Sequence, residues 1–410
     1  MWRWSATRTR WTRAADQVPE VPALMGDSIY IITSSGMAVS LDVATGGERW
    51  RTSTHESASA CTFSMAAGLG YVIAATAGGS GGLFEKRLVA LDPDTGAIVW
   101  TFVFPSDGAP TCNLLVVLVD CPTHGKVAVF ADSQGKVYKL ELPTGKLVWS
   151  ADGPQPPGFT TGGAILGPDG VIYVTTNTGN APSQYNVHGL IAASPGKGVV
   201  SAHALSTGML KWRIVLGLGN EANNAASIGP LGSDGSLAVV VGVGVNPELS
   251  TSIQPASGTK GRHEPAYTLA LDALDGNLLW NYTMPLWHGP AAGDSIKRIC
   301  LPDSSANIAV DGNGVVFVPH EDGVVYGIRD ADGNGVIEEG EVRSYDLQNT
   351  FQASPAIVPG MLVVAPCDGA AAWIQPREVR GECLATDKRS CQHDLVGRSL
   401  RRPARVAGVL

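Results

Sequence analysis

The stretch 89–100, "VALDPDTGAIVW", decides the fold, because the chain writes it again and again. "VSLDVATGGERW" runs over 39–50, "YKLELPTGKLVW" over 138–149 and "LALDALDGNLLW" over 269–280. A fifth copy, "SAHALSTGMLKW" at 201–212, keeps Thr-Gly and the closing tryptophan but loses Leu-Asp. The tryptophans stand 50, 49, 63 and 68 residues apart, so the unit is fixed and later copies carry inserts. Self-similarity at such a period marks a repeat architecture.

Around each copy the text reads as small antiparallel strands. An alternating run such as "VAVFADS" (127–133) or "GVIYVTT" (170–176) leads through a tight turn into a strand like "VYKLEL" (137–142), and a Thr-Gly turn leads to the strand that ends in Trp. Glycine supplies the positive φ of the turn, and the neighbouring Asp or Thr can hydrogen-bond its backbone. A short apolar strand precedes each meander: "PALM" (22–25), "CTFSMAA" (61–67), "CNLLVVLV" (112–119), "GGAILG" (162–167), "ASIGPLG" (226–232), "SANIAV" (305–310) and "ASPAIV" (353–358). Four-stranded sheets of this kind cannot bury both faces alone, and radial stacking satisfies them. The expectation is an all-β chain, a β-propeller over 16–376 with seven four-stranded blades, eight or an incomplete ring being the alternatives.

The seventh unit lacks a convincing outer strand after "VVAPCDGAAAWI" (363–374). Residues 1–15, with Trp2 and Trp4, are expected to supply it and close the ring; their Arg- and Ser/Thr-rich composition also fits a transit peptide or a truncated gene start. The Arg-rich text of 377–410 shows neither repeat nor alternation and reads as a disordered or non-native tail, with a basic interaction tail as the functional alternative.

One turn differs from the rest. "DADGNGVIEEGE" (330–341) matches the twelve-residue calcium-loop template, with Asp330, Asp332 and Asn334 at positions 1, 3 and 5, Gly335 at the sharp turn, the Val336 carbonyl at 7, Ile337 apolar at 8, Glu338 at 9 and Glu341 at 12. Short oxygen-bearing side chains at alternate positions wrap a hard cation. Yet the flanks "VVYGIR" and "EVRSYDL" have strand, not helix, periodicity. The loop therefore takes the place of one blade's Thr-Gly turn, and Tyr345 follows Glu341 by four residues as Trp100 follows Gly96. A Ca²⁺ ion there would clip a hairpin and stabilise it, since no helices stand ready to swing apart.

Composition narrows the remaining classes. With 410 residues, 44% hydrophobic, 16% charged and 50 glycines, the chain can bury a large β-rich core. A net charge of −8 without basic stripes offers no footprint for nucleic acid, and no run reaches the length of a transmembrane segment. The seven cysteines form no CxxC pair and no zinc pattern; Cys112 and Cys121 either bridge a loop or are buried thiols. His263 and His288 lie near an insert without a second histidine at ligand spacing. The Asn-, Ser-, Pro- and Gly-rich inserts at 177–198 and 246–267 are the natural places for partner contacts.

The pattern Ala-Leu-Asp-x-x-Thr-Gly-x-x-x-Trp, with preceding strands such as "PDGVIYV" (168–174) and "GNGVVFV" (312–318), resembles the repeat of the pyrroloquinoline-quinone (PQQ) β-propeller superfamily over residues 20–375. The resemblance implies that Trp50, Trp100, Trp149, Trp212 and Trp280 pack between neighbouring blades. Fold alone does not fix function. Members include quinone-dependent alcohol and sugar dehydrogenases, and also protein-binding propellers without quinone. This chain has no adjacent cysteine pair, and no Asp or Glu aligns with a catalytic base. The expectation is a non-catalytic scaffold carrying one structural calcium ion and binding a protein or glycan partner; the alternative is a PQQ-dependent dehydrogenase of alcohols or sugars. The resemblance favours an extracytoplasmic or organellar location.

Overall fold

Among the described residues seven sheets follow one another along the chain, each made of four antiparallel strands in chain order. The structure, a computed structural model, describes residues 22–33, 35–54, 65–77, 85–109, 111, 114–179, 197–217, 221–231, 235–244, 265–287, 289–294, 300, 302–367, 372–376 and 395–398. Blade 1 sets the pattern, with strands Ala23–Met25, Ser28–Ile32, Met37–Asp42 and Glu48–Ser53. Blades 2 to 6 span 65–103, 117–151, 163–215, 227–283 and 309–346. Every inner strand falls in or overlaps one of the seven apolar runs read from the sequence.

Blade 7 departs from the expectation. Its strands are Ala356–Val358, Met361–Val364, Ala372–Pro376 and Leu395–Arg398. The outer place, expected for residues 1–15, belongs to Leu395–Arg398, which pairs with the third strand from Trp373↔Arg398 to Pro376↔Leu395. That strand lies inside the 377–410 stretch read as a tail. Four residues, Leu-Val-Gly-Arg, are too few to declare themselves by alternation, and their pairing partner is supplied by the fold. Residues 1–15 lie outside the described residues.

In blades 1 to 6 the two middle strands are the most deeply buried: Val171–Thr178, for example, is buried at every position but the last. The core sits between blades. One cluster joins Val171, Tyr173 and Val200 of blade 4 to Val239, Val241 and Leu269 of blade 5, and another joins Ile73 and Leu88 of blade 2 to Phe130 and Tyr138 of blade 3. Similar clusters link blades 1 and 2, 3 and 4, 5 and 6, and 6 and 7. A two-period strand alternates its side chains between two neighbours, which is how each sheet buries both faces.

The repeated turn has one geometry. Asp42 Oδ1 accepts the backbone N–H groups of Ala44 and Thr45 and the Thr45 hydroxyl, and Asp92 does the same for Asp94 and Thr95. The glycine then turns with φ between +69° and +80° in all five copies (Gly46, Gly96, Gly145, Gly208 and Gly276). A bulge sits beside each turn, between Ser40/Leu41, Ala90/Leu91, Lys139/Leu140, Ala202/His203 and Ala270/Leu271.

This turn receives the tryptophan of the preceding blade. The Trp50 indole N–H donates to Pro93 O at 2.8 Å, Trp100 to Leu142 O at 2.7 Å, Trp149 to Leu205 O at 3.3 Å and Trp212 to Ala273 O at 3.1 Å. Each acceptor stands three residues before the turn glycine, and that glycine lies flat against the same indole. A Cβ on Gly96 would stand 2.6 Å from ring atoms of Trp50, and one on Gly145 2.6 Å from Trp100.

Gly96→Ala therefore adds a forced contact to a left-handed backbone. The expected loss is about 2–5 kcal/mol, the sum of a conformational cost near 1–2 and overpacking of about 1–3. Gly70→Ala (φ +87°), where a Cβ meets nothing within 4 Å, is the control and should lose only the conformational part. Denaturant unfolding compares them; equal losses would contradict indole packing as the reason for glycine at position 96.

Candidate functional site

Antiparallel order gives the assembly two faces. Connections from first to second and from third to fourth strand emerge on one, the turn face; connections from second to third strand and from blade to blade emerge on the other, the loop face. Backbone bonds lace each: Val43 N–H to Asp27 O and Leu142 N–H to Lys126 O on the turn face, Leu216 N–H to Gly198 O and Met284 N–H to Ala266 O on the loop face.

The 330–341 loop lies on the turn face, joining Val324–Ile328 to Val342–Asp346. These strands pair without the bulge found in the other copies, from Ile328↔Val342 to Val324↔Asp346. Carboxylate oxygens of Asp330, Asp332 and Glu341 lie within 4.8 Å of one another. Backbone donors aim them: Asp330 accepts from Gly333 at 2.8 Å and Gly335 at 2.9 Å, and Glu341 accepts from Ala331 at 2.5 Å and Glu338 at 3.0 Å. Three of the six predicted ligands thus converge. Asn334 instead donates from Nδ2 to Asp332 and accepts the Val336 N–H, and Glu338 stands in the short 3-10 turn that begins there.

The same loop seats on blade 5. Ile337 packs on the cluster that contains Trp280, and a Cβ on Gly335 (φ +79°) would stand 2.9 Å from Leu279 O. The cluster that contains Trp280 thus receives this loop where the other four tryptophans meet a Thr-Gly or Asp-Gly turn. Tyr345, in the position of the repeat tryptophan, packs on the cluster of Phe351, Leu362 and Val364 in blade 7.

The loop face carries a polar constellation that sequence reading did not single out. The strand-to-blade connections of blades 4 to 6 are laced by asparagine: Asn177 donates to Asn223 Oδ1 at 2.7 Å and to Phe159 O at 2.7 Å and accepts from Ala222 N–H at 2.9 Å, while Asn224 donates to Ser305 O at 2.5 Å. Asn223 donates to both Glu221, at 2.8 Å, and Asp303, at 3.3 Å. Asp303 and Ser304 hold positive φ of +51° and +73°, and the Glu321 N–H donates to Ser304 O at 2.8 Å.

Glu321 is only 8% exposed, and its Oε2 has no hydrogen-bond partner among the described residues. Burial, with the charges of Asp322 and then Asp303, pushes its carboxyl up to about 8. Burial and the charge of Glu221 push Asp303 up to about 7, against the Asn223 hydrogen bond. Beside them His320, fully buried, meets Asp322 through Nδ1 at 3.1 Å. The signal in sequence was the run of Asn, Ser and acidic residues before two inner strands, "EANNAAS" (221–227) and "DSSAN" (303–307), where short apolar residues alone would serve packing.

Cys300 and Cys367 form a disulfide across 67 residues, tying the approach to blade 6 to blade 7. Cys121 is a free, buried thiol, contacted by Thr123 Oγ1 at 3.2 Å and by the wholly buried Lys139 Nζ at 3.3 Å. Cys121 is therefore the buried thiol of the two expectations, and the bridge forms where the ring brings distant segments together. Cys112, His263 and His288 lie outside the described residues, as do the interiors of the two inserts, 180–196 and 245–264.

The arrangement of stacked four-stranded meanders has counterparts among solved structures. BamB from Moraxella catarrhalis is 17% identical, with 87% of this chain and 85% of that one covered and a TM-score of 0.56. The fold is that of a BamB-like β-propeller. The computationally designed Ika8 protein (14% identity, 88% and 84% covered, TM-score 0.53) and Sqt1 from Saccharomyces cerevisiae (10%, 87% and 82%, TM-score 0.57) share the architecture. Residues 2–165 match the family model described as outer membrane protein assembly factor BamB, through blades 1 to 3 and into the first strand of blade 4. No curated protein matches the chain. Among the described residues no helix is long and apolar enough to cross a membrane.

Glu321 gives a measurable pH signature. The folded state keeps its proton up to about pH 8, whereas the unfolded chain releases it near the ordinary glutamate value of 4.5. The folded state thus binds more protons between these values, so this group's contribution is intact below about pH 4.5 and is lost as pH rises through 8. Glu321→Gln, which resembles the protonated acid, should match wild type near pH 5 and exceed it at pH 9 by an amount on the order of a few kcal/mol. A variant that differs from wild type equally at both pH values would contradict the burial of an unpartnered carboxyl.

Proposed function

We propose that this protein is a non-catalytic PQQ-like propeller scaffold that presents its loop face to a protein partner and is stabilised by a calcium ion on its turn face. The observation that carries the reading is topological. The two long inserts join second to third strands in blades 4 and 5, from Thr178 to Lys197 and from Val243 to Tyr267. Both therefore leave from the loop face, the side that also holds the asparagine lacing and the buried carboxyls. Inserts gathered on one face of a repeat protein are a common form of binding surface. The match of residues 2–165 to an outer membrane assembly factor family supports a protein partner. The Cys300–Cys367 disulfide supports an oxidising, extracytoplasmic or organellar setting.

For the turn face, the donor set fits calcium: three hard carboxylates converge, their oxygens oriented by backbone N–H groups. Asp330, Asp332 and Glu341 would hold the ion, with the Val336 carbonyl and the side chains of Asn334 and Glu338 completing the predicted set. Because Ile337 and Gly335 of this loop seat on blade 5, ordering the loop would tighten the seam between blades 5 and 6. Asp330→Asn and Glu341→Gln should each lower the melting temperature in calcium and abolish the difference between calcium and chelator. A wild type that melts at one temperature in both would remove the calcium ion from the account.

The rival reading, a quinone-dependent dehydrogenase, is tested by titrating PQQ into calcium-loaded protein and following tryptophan fluorescence. The scaffold reading expects no saturable quenching. Saturable quenching at micromolar quinone would overturn it.

A further inference from the structure

The buried carboxyl of Glu321 makes no hydrogen bond through Oε2 among the described residues. Asp132, for comparison, is 2% exposed and accepts from Ala109, Gln134 and Lys136 N–H groups and from the Tyr138 hydroxyl. An unmade bond at a buried carboxyl costs the full desolvation of that group, and its persistence asks for a ligand. The surroundings say which kind. Glu321 is joined through its backbone to Ser304, next to Asp303, and Asp303 is linked through Asn223 to Glu221. Three carboxyls from three separate connections thus meet on the loop face, and the charge of each neighbour is felt by the next. His320 Nε2, also fully buried, has no partner among the described residues either.

The group this constellation suits is a cation, and its spacing argues against a metal. Among the described residues the carboxylates that converge within 4.8 Å are Asp330, Asp332 and Glu341 on the opposite face, not these three. A guanidinium is wider, carries five N–H donors in a planar fork, and can reach acceptors on separate segments at once. We propose that Glu221, Asp303 and Glu321 form a socket on the loop face for an arginine side chain of the partner protein. Glu321 is the principal acceptor and Asp303 the second, with Asn223 holding Glu221 and Asp303 in place. The proposal rests on the scaffold reading and names the chemistry that the partner must present. Arginine is also a residue that commonly anchors protein interfaces when its charge is met in a desolvated pocket.

The test uses full-length protein and three probes: acetyl-Gly-Arg-Gly-amide, its lysine analogue and its citrulline analogue, which keeps the shape and removes the charge. Ligand-observed NMR at pH 7.5 should show the arginine peptide bound at least tenfold more tightly than either analogue. Glu321→Gln and Asp303→Asn, each first checked for a cooperative melt, should weaken it at least tenfold; Asn at position 303 tolerates the left-handed backbone there. Equal binding of arginine and citrulline peptides, or undiminished binding by both variants, would overturn the socket, and lysine bound as tightly as arginine would overturn its guanidinium specificity. Binding that appears only when Lys297 and Arg298 are both replaced by alanine would assign the socket to this chain's own cations and overturn it too. Quinone binding with the arginine site intact would sink the scaffold reading alone; absence of both quinone and peptide binding would sink the socket alone.

Discussion

Blades 1 to 5 are held one to the next by an indole laid on a glycine. The tryptophan at the centre of an outer strand reaches across the seam, donates its N–H to a carbonyl three residues before the neighbouring turn glycine, and covers that glycine with its ring. This one contact explains three features together. The position must be glycine, the turn must be tight, and the bulge beside it brings the carbonyl round to the indole. Apolar clusters then fill each seam, so no blade has a buried face of its own.

Where this contact changes, the loop on the turn face changes with it. At the seam between blades 5 and 6 a twelve-residue acidic loop replaces the turn, and Ile337 and Gly335 perform the seating that Thr-Gly performs elsewhere. A cation there would act at a seam on the turn face, at the opposite end of the sheets from the loop face. Short, uniform turns thus gather on one face, and the opposite face carries the inserts, the asparagine lacing and the buried Glu321 carboxyl with its unpartnered Oε2. Functional groups that cost stability are found where the repeat is least regular.

Much of this was legible in the sequence because the seam is local in pattern. The Asp-x-x-Thr-Gly-x-x-x-Trp register exposes turn, strand and indole at once, and seven apolar runs mark the inner strands. Asp330, Asp332 and Glu341 were legible for the same reason: their spacing within one loop is itself the geometry. What was not legible depended on contacts between distant segments. Leu395–Arg398 becomes a strand only because Ala372–Pro376 offers an edge. Cys300 finds Cys367 only across a seam. Glu221, Asp303 and Glu321 belong to three connections, and no spacing in sequence reveals that their charges meet.

The central claim is that indole and glycine stabilise the ring as a pair rather than separately. The measurement that tests it most directly is a double-mutant cycle at the seam between blades 2 and 3, with Trp100→Phe, Gly145→Ala and the double variant compared by denaturant unfolding. The account predicts strong non-additivity, with a coupling energy of about 1–2 kcal/mol, because the smaller ring relieves the clash that the new Cβ creates. Losses that simply add would contradict it.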